Sequence, residues 1–282
     1  MTLQSWLQNG ESRLRTGPHA ERARRDAEVL LQHLLHCDRA FLIAHPLEIL
    51  TAEGAVRYYA LIERRLAGEP VQYITGEVEF YGLPFHVTRE VLIPRPETEH
   101  LVEKVLSLAA LFEQPRIVDV GTGSGAIAVA LAYKMPSAKM AAIDLSDTAL
   151  ELAQGNAKNN GVGERIRFLA GDLLAPVAAE RFEIVVSNPP YVAESDRSSL
   201  SVEVREHEPA MALFAGGHGL DIYRRLIPEA YDVLVPGGYV ALEMGHGQAD
   251  AIGGLLGDAG FKQIEFTPDL QGIDRVAVGL RT

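Results

Sequence analysis

The chain has 282 residues, 47% of them hydrophobic, and carries 26 Lys and Arg against 38 Asp and Glu for a net charge of −12. That length and apolar content exceed one small core and predict two domains, while a single cysteine, Cys37, excludes a disulfide framework and a cysteine-based zinc site. The opening residues lack a signal-peptide pattern and no apolar run approaches bilayer length, so a cytoplasmic protein with no membrane role is expected.

Residues 1–70 read as a small helical bundle. Leu3, Trp6, Leu7 and Leu14 mark a first helix, weakened by Gly10. Within 19–36, Ala23, Ala27, Leu30, Leu31, Leu34 and Leu35 recur at helical spacing. Thr51 is placed to cap a third helix that carries Val56, Tyr59, Ile62 and Leu66 and stops at Gly68. The bundle holds no chemical motif, which points to docking rather than catalysis.

Residues 71–95 change to a β texture. Glu77 to Tyr81 alternates polar and apolar, Gly82-Leu83-Pro84 reads as the turn, and Phe85-His86-Val87 resumes the strand. This hairpin is expected to link the two domains. Pro96, followed by acidic residues, then starts a helix through Leu111.

From residue 96 to 282 strands and helices alternate, the pattern of a doubly wound, mostly parallel sheet. Seven strands are expected, near 116–120, 138–143, 165–170, 182–187, 239–243, 262–266 and 273–280, the last pair joined too closely to be parallel throughout. Helices are expected near 124–133, 146–160, 220–234 and 248–259. The stretch 192–219 has no clear periodicity, and loops of that length in compact domains tend to be functional.

Asp119-Val120-Gly121-Thr122-Gly123-Ser124-Gly125 joins the first of these strands to a helix, where glycines let a ligand approach the backbone. A dinucleotide fold is the obvious rival, but the spacing is G-x-G-x-G, and a carboxylate at Asp119 would repel a pyrophosphate. Asp119 instead favours a ligand with ammonium and sulfonium groups, such as S-adenosyl-L-methionine. Asp144 ends the second strand, placed to accept ribose hydroxyls, and Asp172 with Leu173 ends the third, placed to receive and cover an adenine. Any one of these acids alone could be a solvated loop residue. Three at successive strand ends point to a binding crevice.

The fourth strand runs straight into Ser187-Asn188-Pro189-Pro190-Tyr191. Two prolines hold the chain extended and leave carbonyls with few donors around them. Such a cluster of acceptors suits an amide or exocyclic amine, and Tyr191 offers a flat surface to a planar group. Taken alone, the segment is equally a loop with two prolines and a packed tyrosine.

Together these segments resemble a class I S-adenosylmethionine-dependent methyltransferase. More narrowly they resemble the HemK family, the protein-(glutamine-N5) methyltransferases of peptide chain release factors. The likeness rests on Gly68-Glu69-Pro70 with Tyr73-Ile74-Thr75-Gly76, Ile93-Pro94-Arg95-Pro96-Glu97-Thr98-Glu99, Asp119 to Gly125, Asn188 to Tyr191, and Glu208-Pro209 with Gly216-Gly217-His218-Gly219-Leu220. The resemblance implies cofactor contacts from Asp119, Gly121, Thr122, Gly123, Ser124, Gly125, Asp144, Asp172, Leu173 and Asn188. It implies a catalytic segment of Asn188, Pro189, Pro190 and Tyr191, with the Asn188 oxygen and the Pro189 carbonyl accepting from a glutamine amide. No metal is required, no nucleic acid is bound directly, and a monomer is expected.

Two other classes share parts of this pattern. A nucleic-acid amino-methyltransferase should cluster basic residues by the catalytic loop, yet residues 188–204 contain only Arg197. The acidic excess also lies wholly in residues 73–282, where 17 basic residues face 29 acidic ones. A nicotinamide dehydrogenase needs a pyrophosphate cradle, which Asp119 opposes. A related enzyme acting on a ribosomal-protein glutamine would usually differ in the Pro-Arg-Pro-Glu-Thr-Glu segment.

Overall fold

The computed structural model describes residues 1–282 as two compact units. The first comprises Met1–Glu77 together with Leu200–His207; the second comprises Val78–Ser199 and Glu208–Thr282.

In the first unit, helices α1 (Leu3–Leu14), α2 (Ala23–Leu35), α3 (Arg39–Ala44), α4 (Ala52–Leu66) and α5 (Val71–Thr75) surround one apolar core. The α1, α3 and α4 starts are capped by Thr2, Asp38 and Thr51, each accepting a backbone N–H three residues on. Leu7, Leu30, Leu31, Tyr58 and Ile62 fill the core from three helices. Gly10 is there for space, because a Cβ at that position would stand 2.4 Å from the Tyr58 hydroxyl. The short helix Val202–His207 belongs to this unit through Glu203, which pairs with the buried Arg65.

The second unit opens with the hairpin of β1 (Glu77–Phe80) and β2 (Leu83–His86). Its turn falls at Tyr81-Gly82, both with positive φ (53° and 73°), one residue earlier than the Gly82-Leu83-Pro84 turn expected. A two-residue loop with both φ positive matches the twist of the strands, so Leu83 and Pro84 are already strand residues. Residues 71–75 are likewise helical rather than β, ended by Gly76 in the left-handed conformation. Helix α6 (Thr98–Ala109) starts at Thr98, after turns that begin at Arg95 and Pro96.

Seven strands then form one sheet: β3 (Arg116–Val120), β4 (Lys139–Asp144), β5 (Ile166–Ala170), β6 (Phe182–Ser187), β7 (Leu234–Glu243), β8 (Lys262–Pro268) and β9 (Asp274–Leu280). Their spatial order is β5-β4-β3-β6-β7-β9-β8, parallel except for β9, which is antiparallel to both neighbours. Alternate residues serve opposite faces: Ile117, Ile184 and Val186 pack into one core, Val118, Val120 and Val185 into the other. Burial on both sides explains why these strands read as unbroken apolar runs. Helices α6, α7 (Ala126–Lys134) and α8 (Asp147–Asn159) supply the first face, and α10 (Asp221–Val233) and α11 (Ala249–Asp258) the second. The stretch 192–219 is built of 3-10 turns at Glu194–Ser199 and Ala210–Ala212 around α9 (Val202–His207).

Candidate active site

The carboxyl ends of β3 to β6 open into one cleft of about 1190 Å³, counting the solvent at its mouth. The strand order reverses at β3, and ligands of open α/β sheets bind at that point.

Gly121 and Gly123 both have positive φ, 72° and 53°, and nothing lies within 4 Å of where a Cβ would stand. Each presents bare backbone to the cleft. Gly125 serves packing instead, since a Cβ there would sit 3.0 Å from that of Ala153 on α8. The loop is pinned from behind: Gly121 and Thr122 donate to Ile143 O at 2.9 and 3.0 Å. Asn156, buried on α8, donates to both Ser124 O and His86 O and accepts from His86 N.

The three expected acids separate into different settings. Asp144 lines the cleft half-buried, its oxygens accepting from Gly123 N at 2.8 Å and Ser146 N at 3.0 Å. Asp172 also lines it, exposed and paired with Arg225 of α10. Asp119 does not line it. Its side chain is fully buried and accepts the Thr122 hydroxyl at 2.6 Å, and burial pushes its pKa up to about 7, against the Thr122 and Ala128 hydrogen bonds. Of the residues expected at the cofactor, Gly121, Thr122, Gly123, Ser124, Asp144, Asp172, Leu173 and Asn188 line the cleft, and Asp119 and Gly125 stand behind it.

At the end of β6, Ser187 donates to Val120 O at 2.6 Å, tying β6 to β3. Asn188, Pro189 and Pro190 line the cleft; Tyr191 does not. The Tyr191 ring packs with the second core and its hydroxyl turns toward Glu243 at 3.5 Å. Burial and the Glu243 charge raise its pKa. Its carbonyl accepts from Gln248 Nε2 at 3.0 Å. Gly219 (φ 69°) passes so close that a Cβ there would stand 2.1 Å from that same carbonyl.

Sequence reasoning left out several lining residues. Arg95 is the one cation among them and pairs with Glu208 at 2.5 Å. Thr98 lies next to Asn188, whose Nδ2 donates to its hydroxyl at 3.1 Å. Met211 and Ala212 line the cleft from the stretch 192–219, which had no periodicity to reveal them, and Ile222 lines it from α10. Glu243, behind the cleft, could have been found by the rule that exposed the other acids, because it also ends an apolar strand.

The sheet order and the cleft at its switch point define a class I methyltransferase fold. Solved structures agree in fold: the hMettl16 catalytic domain aligns with TM-score 0.59 at 18% identity over 82% of this chain and 83% of its own. A methyltransferase from Pyrococcus furiosus aligns with TM-score 0.52 at 18% identity over 72% and 90%. Sequence is more specific. Residues 5–76 match the PrmC N-terminal domain family and residues 97–218 the methyltransferase small domain family. The chain is 45% identical to the release factor glutamine methyltransferase of Koribacter versatilis over 91% of its length and 90% of that protein. It is 43% identical to the enzyme of that name from Moorella thermoacetica over 100% and 99%. The chain belongs to the release factor glutamine methyltransferase family.

Proposed function

We propose that the chain transfers a methyl group from S-adenosyl-L-methionine to the side-chain N5 of a glutamine in peptide chain release factors. We place it in the cytoplasm as a monomer, with the helical unit docking the protein substrate. No helix is long and apolar enough to cross a membrane.

The cleft fits the cofactor. Its charged lining is three acids, Glu90, Asp144 and Asp172, against Arg95, which Glu208 already holds. That balance suits a cationic ligand. Asp144 keeps lone pairs for the ribose, and the open backbone at Gly121 and Gly123 takes a close-lying chain. Leu173 and Leu145 offer apolar surface to the adenine. The bound cofactor supplies an electrophilic methyl on sulfur. What the protein supplies is orientation.

A glutamine amide nitrogen is a poor nucleophile because its lone pair is delocalised into the carbonyl. The observation that carries the reading is Asn188, whose nitrogen is tied to Thr98 in the wall of the cleft. Its oxygen is left to accept from a substrate amide, with the Pro189 carbonyl beside it. Two acceptors on the two N–H bonds turn the lone pair toward the methyl and stabilise positive charge developing on nitrogen. The proton leaves after transfer, so no general base is assigned. Tyr191, turned back on Glu243, braces this segment from behind.

An RNA or DNA substrate is the rival reading, and the catalytic loop argues against it. Arg197, its one basic residue up to position 204, pairs with Glu194 and lies 3.9 Å over the Phe214 ring. Asn188→Ala should slow single-turnover methylation of a release factor by about two to three orders of magnitude with cofactor affinity little changed. A near wild-type rate would make Asn188 structural and end the orientation mechanism.

A further inference from the structure

The chain that leaves β5 is held in place by one side of α10. Gly171 N donates to Asp144 O at 3.0 Å, the last bond between this segment and β4. Two residues on, Leu173 has a φ of 48°, in the left-handed region that a leucine adopts only where its surroundings impose it. The next residue, Leu174, is buried, so its N–H needs an acceptor. That acceptor is a side chain: Leu174 N donates to Glu229 Oε2 at 3.0 Å. One turn earlier on the helix, Arg225 Nη2 donates to Asp172 Oδ2 at 2.5 Å. Ile222, a further turn back, lines the cleft together with Asp172 and Leu173. These three residues recur at helical spacing and share one face of α10. From the opposite side Pro176 confines the segment, because a Cβ on Gly171 would stand 2.3 Å from its Cγ.

We propose that Glu229 and Arg225 are positioning residues that set the selectivity of the cofactor site for adenine. Glu229 holds Leu173 in its strained turn, and Arg225 occupies Asp172 Oδ2 so that Oδ1 is left to accept the adenine amino group. The proposal rests on the reading of Asp172 and Leu173 as the adenine wall given above. Asp172 is exposed, and an exposed ion pair contributes little to stability. What the pair with Arg225 does contribute is a fixed direction for the carboxylate. With Leu173 relaxed to a negative φ, the chain would change course between Asp172 and Leu174. The acid and its apolar neighbour would then no longer be held toward the cleft together.

A purine with a different group at C6 reads out this alignment. Adenine carries an amino donor there, whereas hypoxanthine carries a carbonyl oxygen, which a carboxylate repels. A well-aimed Asp172 therefore separates the two, and a loosely held one does not.

The test is calorimetry with S-adenosyl-L-homocysteine and S-inosyl-L-homocysteine, beside single-turnover methylation of a purified release factor. Wild type should favour the adenosyl compound by at least about tenfold. Glu229→Ala should cut that ratio about fivefold, through weaker binding of the adenosyl compound, while the rate at saturating S-adenosyl-L-methionine stays within about twofold. Glu229→Gln keeps an oxygen for Leu174 N and should retain the ratio to within about twofold. Equal weakening of both compounds in Glu229→Ala, or an unchanged ratio, would overturn the proposal. Arg225 lies on the surface, so Arg225→Met decides the matter even where Glu229→Ala does not fold. It should cut the ratio about twofold to threefold, and an unchanged ratio would overturn the proposal as well. Asp172→Ala locates any failure. A full wild-type ratio in that variant would overturn the adenine reading on which the α10 contacts depend. Wild-type protein that bound neither compound would bring down the proposed function itself.

Discussion

Asp119 and Asp144 lie on adjacent strands and face opposite problems. Asp144 is open to the cleft and has backbone donors on both oxygens. Asp119 is sealed behind the glycine loop, where burial outweighs the Thr122 and Ala128 hydrogen bonds and Asp144 adds like charge. Its folded pKa of about 7 lies above the ordinary 3.8. Between those values the folded state keeps a proton that the unfolded chain has released, so this residue's contribution to stability falls as pH rises from about 4 to about 7. The effect is on the order of 4 kcal/mol across that window. Asp119→Asn cannot titrate, so its melting temperature relative to wild type should climb from pH 4 to pH 7 and level off above. A parallel pair of curves would show that Asp119 stays ionised. The chain alone revealed which acids end strands, because an apolar run followed by one carboxylate is a local pattern. It did not reveal which acid faces the ligand, since burial behind a loop depends on partners such as Thr122 and Ala128 of α7. Thr98 stood inside a segment noted for its family likeness, but its tie to Asn188 spans 90 residues and leaves no local trace.

At the level of elements, periodicity located the seven strands and their helices to within a few residues, the N-terminal part of β7 apart. That strand starts at Leu234 with Pro236, Gly237 and Gly238 inside it, a composition that reads as a turn. What periodicity could not see is why a poor helix former sits inside α1. Gly10 faces Tyr58, whose hydroxyl donates to Ala27 O at 3.0 Å in the core. Gly10→Ala raises helix propensity by up to about 1 kcal/mol but drives a methyl into that hydroxyl. Overpacking and the loss of a buried hydrogen bond together cost about 2–4 kcal/mol, so the clash wins. A net loss of about 1–3 kcal/mol should appear in denaturant unfolding followed by Trp6 fluorescence. Adding Tyr58→Phe removes the oxygen that is struck, so the double variant should be closer to the Tyr58→Phe single than Gly10→Ala is to wild type. Independent, additive losses would mean that Gly10 is needed for another reason.

For the whole molecule, the consequence is that a unit defined by packing is not continuous in sequence. Helical periodicity assigned residues 1–70 to a front domain, and nothing local connects them with 200–207. Arg65 makes the connection. Its side chain is 2% exposed, donates to Asp26 at 2.6 Å and to Glu69 O at 3.0 Å, and pairs with Glu203. His19 and Arg22 also stand within 4 Å of Glu203. Arg65→Met keeps most of the apolar stem and deletes the charge, leaving Asp26 and Glu203 without their buried partner. Breaking a buried pair in this way costs about 3–5 kcal/mol, enough to unfold a small helical unit. Because that unit has two covalent pieces, both should loosen together. Limited proteolysis of Arg65→Met should give early cuts within 1–77 and within 200–207, while 78–199 and 208–282 persist and still bind S-adenosyl-L-methionine. Mass spectrometry of the fragments decides the matter. Digestion of 1–77 with 200–207 as resistant as in wild type would show that α9 holds without Arg65. The paired cuts would show that a single buried guanidinium ties residues 200–207 to the helical unit.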